Sequence, residues 1–450
     1  ETGVAVAHQA AGPRSDAARV EIHLRRAAEA AEGPAIPDGG RAIDVLVPTA
    51  DARLSLEGAI RRLADEGNIA LARRLCAAGR RRAHPTPAVP VAQRRPRADA
   101  TRALHRERFR LRHAERSAAP VEAAAWSQAA QDEPAIEWRL RAPRADEARI
   151  EYRVFTDWML AFVVTTTETR LHRWPLGHSA LRTRVDALCQ PLAAGDVRLA
   201  LEGAASVFRA VMAPLMADLG DVTRLIIAPD GPLSAVPFGL LWGGGFLAEY
   251  FDLAIAVPAA PPTFTDRGVE GEGRALIVGD AATARDLQLS TLIDGHGFVG
   301  VDARHGDELA PPELATALEG ARFVHLVGGL DEGDGLKLID EAPPTAARAL
   351  AEALGAGGAL CATAMGPVEG TAGQALVGTL LSGLRGGLLA RTQPADEERS
   401  VLLRFFGHAA TSTNTEALID AFGEAVRGAI RDHVSPADWS AYTLYVAEGV

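Results

Sequence analysis

The chain has 450 residues, 48% of them hydrophobic and 23% charged, with a formal net charge of −11. That length accommodates two or three domains with a full-sized core. It contains no uninterrupted apolar run near the roughly 18 to 20 residues that span a bilayer, so no membrane association is expected.

Cys76, Cys189 and Cys361 are widely spaced and form neither a zinc pattern nor a disulfide framework. A reducing, cytoplasmic compartment is therefore expected, with no metal and no cofactor. The sequence opens on Glu1 without a basic region followed by an apolar stretch, so no secretory leader is expected, and it reads as a piece or processed form of a longer chain. Basic residues are 46 arginines and one lysine, Lys337, which together with abundant Ala and Gly suits a GC-rich, bacterial genome.

Taken in chain order, residues 14 to 32 suit an amphipathic helix, with Val20, Ile22 and Leu24 on the buried side. Residues 52 to 82 read as a helical pair, with Leu54, Leu56, Ile60 and Leu63 before a break at Gly67. Four prolines make residues 84–96 a linker or extended strap rather than a helix. Residues 99 to 117 suit another Arg-rich helix. Between Arg73 and Arg116, 14 arginines stand against Asp99, Glu107 and Glu115, a local excess of 11 positive charges that leaves −22 on the rest of the chain. Such a segment can gather nucleic acid phosphates or dock as a helix face on an acidic domain of the same chain. Phe109 is the one aromatic residue among these arginines, too little interleaving to support base stacking, so docking is the favoured reading.

The texture changes near residue 147, which sets the expected boundary between a helical, Arg-rich region at 1–146 and an α/β domain at 147–450. Residues 147 to about 175 alternate apolar and polar side chains and read as two or three antiparallel strands. Helices are expected at about 178–192 and 197–219. Strand-like runs then follow at 223–229, 274–280, 321–328, 357–363 and 386–392. Helical stretches near 311–319, 343–355, 371–384, 395–408 and 415–431 alternate with them. That alternation predicts a mostly parallel sheet flanked by helices, with chemistry at the carboxyl ends of strands.

The segment APDGPLSAVPFGLL, Ala228 to Leu241, places Pro229-Asp230-Gly231-Pro232 in a turn and Pro237 and Phe238 as an anchor on the sheet edge. It resembles the signature of CHAT domains, caspase-like peptidase domains often attached to tetratricopeptide repeats. GGFLAEYFDLAIAVPAAPPT, RALIVGD, FVHLVGGL, GALCATAMGP, GGLLART and the closing WSAYTLYVAEG follow in the family's order, over about residues 147 to 450. The resemblance implies a caspase-like fold and a His/Cys dyad. In the family the His strand reads H-x-x-x-H-G with the second His acting as base, and the Cys strand reads L-S-A-C-x-T-G. By that pattern Gly329 stands at the base position and Thr363 at the nucleophile position, with His325 at the first His and Cys361 at the Ser. Glycine moves no proton, and threonine without a base is a poor nucleophile.

Three functions follow as expectations. The first is a pseudopeptidase that binds a protein or peptide in the old substrate groove or regulates an active CHAT relative. Asp331, Glu332, Asp334 and Gly366 would line that groove. The second is an active cysteine endopeptidase with a displaced dyad of His325 and Cys361, or a base borrowed from His296 or His305. The third is a nucleic-acid-associated scaffold acting through residues 73–116. The acidic turn at 331–334 is too short of ligands at set spacing for a calcium loop, and Gly243 to Gly245 lack the Lys of a phosphate loop.

Overall fold

The computed structural model describes parts of residues 57–77, residues 143–257, the strands between 274 and 390 given below, residues 377 and 381, and residues 399–409 and 414–447. The amphipathic helix expected at 14–32, the strap at 84–96 and the helices expected at 99–117 and 311–319 lie outside the described residues.

Fourteen strands are described: β1 (Glu147–Val154), β2 (Met159–Val164), β3 (Thr169–Trp174), β4 (Arg224–Ala228), β5 (Asp252–Val257), β6 (Arg274–Gly279), β7 (Gly300–His305), β8 (Ala321–Leu326), β9 (Gly329–Asp331), β10 (Gly335–Lys337), β11 (Thr345–Ala346), β12 (Cys361–Met365), β13 (Gly386–Ala390) and β14 (Tyr442–Ala447). Eleven of them form one sheet, in the order β3-β2-β1-β4-β5-β14-β13-β12-β8-β6-β7, and β9, β10 and β11 form a small second sheet. The main helices are α1 (His178–Ala193), α2 (Val197–Val211), α3 (Arg399–Ala409) and α4 (Thr415–Arg431).

The large sheet contains two parallel blocks. Strands β1, β4, β5 and β14 run one way. Strands β13, β12, β8, β6 and β7 are parallel to one another. The blocks meet where β13 pairs antiparallel with β14. Hence the carboxyl ends of β12 and β13 lie at the same end of the sheet as the first residues of β14, a relation fixed by the pairings Met365 with Ala390 and Ala390 with Tyr442.

Strand periodicity of two sorts β1 onto two faces. Ala148, Ile150 and Tyr152 enter the main core with Leu181, Val185 and Leu188 of α1 and Ala200, Ala204 and Val207 of α2. Glu147, Arg149 and Glu151 alternate to the opposite face and are buried there too. On β2, Leu160, Phe162 and Val164 form a second cluster with Phe155, Trp158, Ile60, Leu63, Ala72 and Cys76. The N-terminal helical pair thus packs on the same sheet as the α/β region, and it turns at Gly67, where φ is +73°. Its contact is also ionic: Arg73 donates to both carboxylate oxygens of the fully buried Glu151, with Nη2–Oε1 at 2.5 Å. At this one position the Arg-rich segment is docked on an acidic residue of its own chain. Residues 78–116 lie outside the described residues.

Several expectations are corrected. Residues 345–346, inside the helix expected at 343–355, form β11 against β10. Leu330 and Asp331, read as loop, lie in β9, and Gly335 lies in β10. The strand expected at 357–363 is described at Cys361–Met365. The helix expected at 197–219 breaks after Val211 into a 3-10 turn, Ala213–Leu215, whose Pro214 has no N–H to continue the α-helical ladder. By length and composition Val197–Leu219 could cross a membrane, although no apolar run of that size was expected. Ala200, Gly203, Ala204, Val207 and Val211 nevertheless bury one of its faces. Phe238 does not sit at the sheet edge. It stacks 6.3 Å from Tyr152 of β1, an interior strand.

Candidate functional site

The turn after β4 explains its own sequence. The Asp230 carboxylate accepts from Val154 N at 2.8 Å and from Arg153 Nη1 at 3.0 Å, tying the turn to the end of β1. Gly231 takes φ +56°, which a side chain resists. These residues are packing devices that carry the chain into the 3-10 turns at Gly231–Ala235 and Phe238–Leu240.

Strands β8 and β12 lie side by side, as the partners of a dyad must. Their register sets Thr363 opposite His325 and Cys361 opposite Phe323. It continues across the sheet, with Thr363 opposite Leu388 and Leu388 opposite Leu444. One row, His325–Thr363–Leu388–Leu444, therefore crosses four strands. Beyond Leu326 the chain enters β9, where Gly329 is opposite Lys337, the only lysine of the sequence.

His325 is 3% exposed. Its ring meets Phe406 of α3 edge-on, with centroids 6.1 Å apart, and Phe323 meets the same ring at 6.2 Å. Burial lowers the His325 pKa from 6.5 to about 4, because the charged imidazolium is poorly solvated there. At neutral pH the ring is uncharged and a weak base. Asp331 is placed only through its backbone, opposite Gly335. Glu332, Asp334, Gly366 and His296 lie outside the described residues. His305 ends β7, an edge strand separated from β8 by β6, and is not in a loop. No group of three or more metal-ligating side chains occurs among the described residues.

A cavity of about 40 Å³ opens at the same end of the sheet, where β5 and β14 begin. Leu253, Phe422, Val426 and Leu444 supply apolar wall, with Gly239 and Ser440 beside them. Sequence reasoning missed it, because its lining joins residues 237–255 to residues 422–444, far apart in the sequence. Only the aromatic spacing of Trp242, Phe246 and Tyr250 signals a surface feature nearby. Trp242 and Tyr250 are 39% and 61% exposed. Phe246 packs edge-on against Trp242 at 4.8 Å and against the buried Trp439 of the cavity wall at 5.0 Å.

Comparison with known proteins adds the following. The family model of the CHAT domain matches residues 202–447. The match begins within α2, so β1, β2 and β3 lie outside it while sharing its sheet. No curated protein matches the sequence. Among solved structures, the complex of Porphyromonas gingivalis RgpB pro- and mature domains is similar at 8% identity and a TM-score of 0.35, over 60% of this chain and 75% of that chain.

Proposed function

The chain belongs to the CHAT domain family, and from that membership we propose that it is a pseudopeptidase: a caspase-like domain that binds a peptide or protein partner without cutting it. The observation that carries this reading is the pair Gly329 and Thr363 at the two catalytic positions of the family pattern, on chain segments that flank one another. A thiol peptidase needs a thiolate with a base in hydrogen-bond reach. Gly329 offers no base, and a threonine hydroxyl stays protonated without one.

The geometry around His325 supports the same reading over a displaced dyad. Cys361 is registered on Phe323, with Thr363 opposite His325, so Cys361 is offset by two residues, about 6 to 7 Å along the strand. The imidazole is closed in by Phe406, and burial lowers its pKa to about 4, so it is uncharged at neutral pH. The docking of Arg73 on Glu151 likewise favours an internal role for the start of the Arg-rich segment over nucleic acid binding.

The test is cleavage of a diverse peptide library by the parent, by Cys361→Ala and by the double variant Gly329→His, Thr363→Cys. No cleavage by the parent, with activity gained in the double variant, is the expected result. Cleavage by the parent that vanishes in Cys361→Ala would overturn the reading and locate a displaced nucleophile.

A further inference from the structure

We infer that the exposed aromatic surface at Trp242 and Tyr250 is a docking site for the chain's own proline-rich segment, residues 84–96. The inference goes beyond the pseudopeptidase reading and does not depend on it. The build of the surface, its hydrogen-bonding character and the sequence of the segment carry it.

The surface is built on a glycine hairpin. Trp242 and Phe246 form a bridge, Gly243 N donates to the Gly245 carbonyl oxygen at 3.1 Å, and Gly244 takes φ +106° at the tip. A Cβ on Gly243 would run into the Phe208 ring, and one on Gly245 into the Tyr250 hydroxyl. The missing side chains thus let two aromatic residues lie directly on the hairpin backbone, next to Trp242. Trp242, Tyr250 and Leu199 are the exposed large hydrophobic residues among the described ones, and the two aromatic ones meet at this hairpin. Clustered exposed Trp and Tyr mark an interaction surface, whereas single exposed apolar residues do not.

This surface offers flat rings and hydrogen-bond donors. Among the described residues neither the Trp242 indole N–H nor the Tyr250 hydroxyl has a hydrogen-bond partner. A proline-rich chain is the matching ligand. In its extended left-handed form it makes no internal hydrogen bonds, so its carbonyls are free acceptors, and its prolines bring no N–H that needs an acceptor. Aromatic-lined surfaces take such chains against their ring faces.

Residues 84–96 have that composition, with Pro85, Pro87, Pro90 and Pro96. At three residues per turn, Pro87 and Pro90 fall on one edge, about 9 Å apart. Arg94 and Arg95 follow them. Glu249, beside Tyr250, is exposed, and its Oε2 accepts from Phe246 N at 2.6 Å, which leaves Oε1 for a cation. The segment is also local. Residues 78–83 separate it from the described Ala77, and the chain re-enters the sheet at β1, so it is tethered at both ends. Tethering raises its effective concentration at the hairpin above that of a proline-rich partner from outside.

The test is titration of a labelled peptide of residues 84–96 into the 450-residue chain and its variants, with thermal melts of each. The double variant Pro87→Ala, Pro90→Ala disables the internal ligand, so it should bind the peptide at least about tenfold more tightly than the parent does. Adding Trp242→Ala to the double variant should abolish that binding while the melt stays unchanged. Tyr250→Ala, at an exposed position, takes its place if Trp242→Ala fails to fold. A peptide with Pro87 and Pro90 replaced by alanine should not bind any of them. Equal binding by parent and double variant would mean that the segment does not occupy the surface, and would overturn the inference. So would binding that survives Trp242→Ala and Tyr250→Ala, or no binding by the double variant. A difference between parent and double variant that vanishes as the protein is diluted would put the segment of a second copy there, and would overturn internal docking.

Discussion

At the scale of single residues, His325 makes the sharpest claim on solution behaviour. Its folded pKa is about 4, lowered from 6.5 by burial. Below pH 6.5 the unfolded chain therefore takes up a proton that the folded chain refuses until about pH 4. The contribution of this group to stability is intact above pH 6.5 and drains away as pH falls toward 4, by about 3 kcal/mol at the end. His325→Leu removes that titration while leaving an apolar group against Phe406. Urea midpoints of parent and variant, measured from pH 7 to pH 4.5, should converge or cross as the parent weakens. Profiles that stay parallel would mean that His325 is solvated or charged in the fold. The same measurement bears on catalysis, since an imidazole that cannot accept a proton near neutrality cannot serve as a general base there.

Among elements, the contact of α1 with α2 turns on a glycine. A Cβ on Gly203 would lie 2.6 Å from the Ala187 carbonyl oxygen and 2.7 Å from Leu188 Cα, so the two helix backbones touch through it. Alanine is the better helix former by about 1 kcal/mol, and at an exposed site Gly203→Ala would stabilise. Here the methyl forces the helices apart, and we expect a net loss of about 2 kcal/mol in chemical denaturation. A neutral or stabilising result would show that the helices separate at little cost. Elements with a strong local period were legible in the sequence. The helical pair broken at Gly67, the antiparallel strands of β1 to β3, and α4 at Thr415–Arg431 follow from it directly. β7, GVDARH, was not legible, because its charged residues leave no apolar run to mark a strand. β11 was hidden inside an Ala-rich stretch with high helix propensity, where pairing with β10 prevails over local preference. For the site, the two strand ends could be read from the motif order. The cross-strand row that links His325 and Thr363 to Leu444, and the cavity it borders, depend on register and on contacts between distant segments, which no local pattern encodes.

For the whole molecule, the closing strand decides whether the sheet is one body. β14 lies between β5, parallel to it, and β13, antiparallel to it, and so joins the two oppositely directed blocks. All six of its residues are buried. Removing it would open two interior strand edges at once and strip cover from the core residues beside Leu444 and Tyr445. A chain ending at Arg431, which keeps α4 but lacks β14, should therefore lose cooperative unfolding and become aggregation-prone. A synthetic peptide covering residues 436–447, added during refolding, should restore part of the cooperative transition by filling the gap with its backbone hydrogen bonds. A truncated chain that melts in one sharp step without the peptide would mean that the two blocks stay one cooperative body without β14. The cavity lined by Ser440 and Leu444 would then lose both from its wall while strands β8 and β12 kept their pairing. Peptide binding by that truncated chain would separate a groove centred on β12 from one that depends on the closing strand.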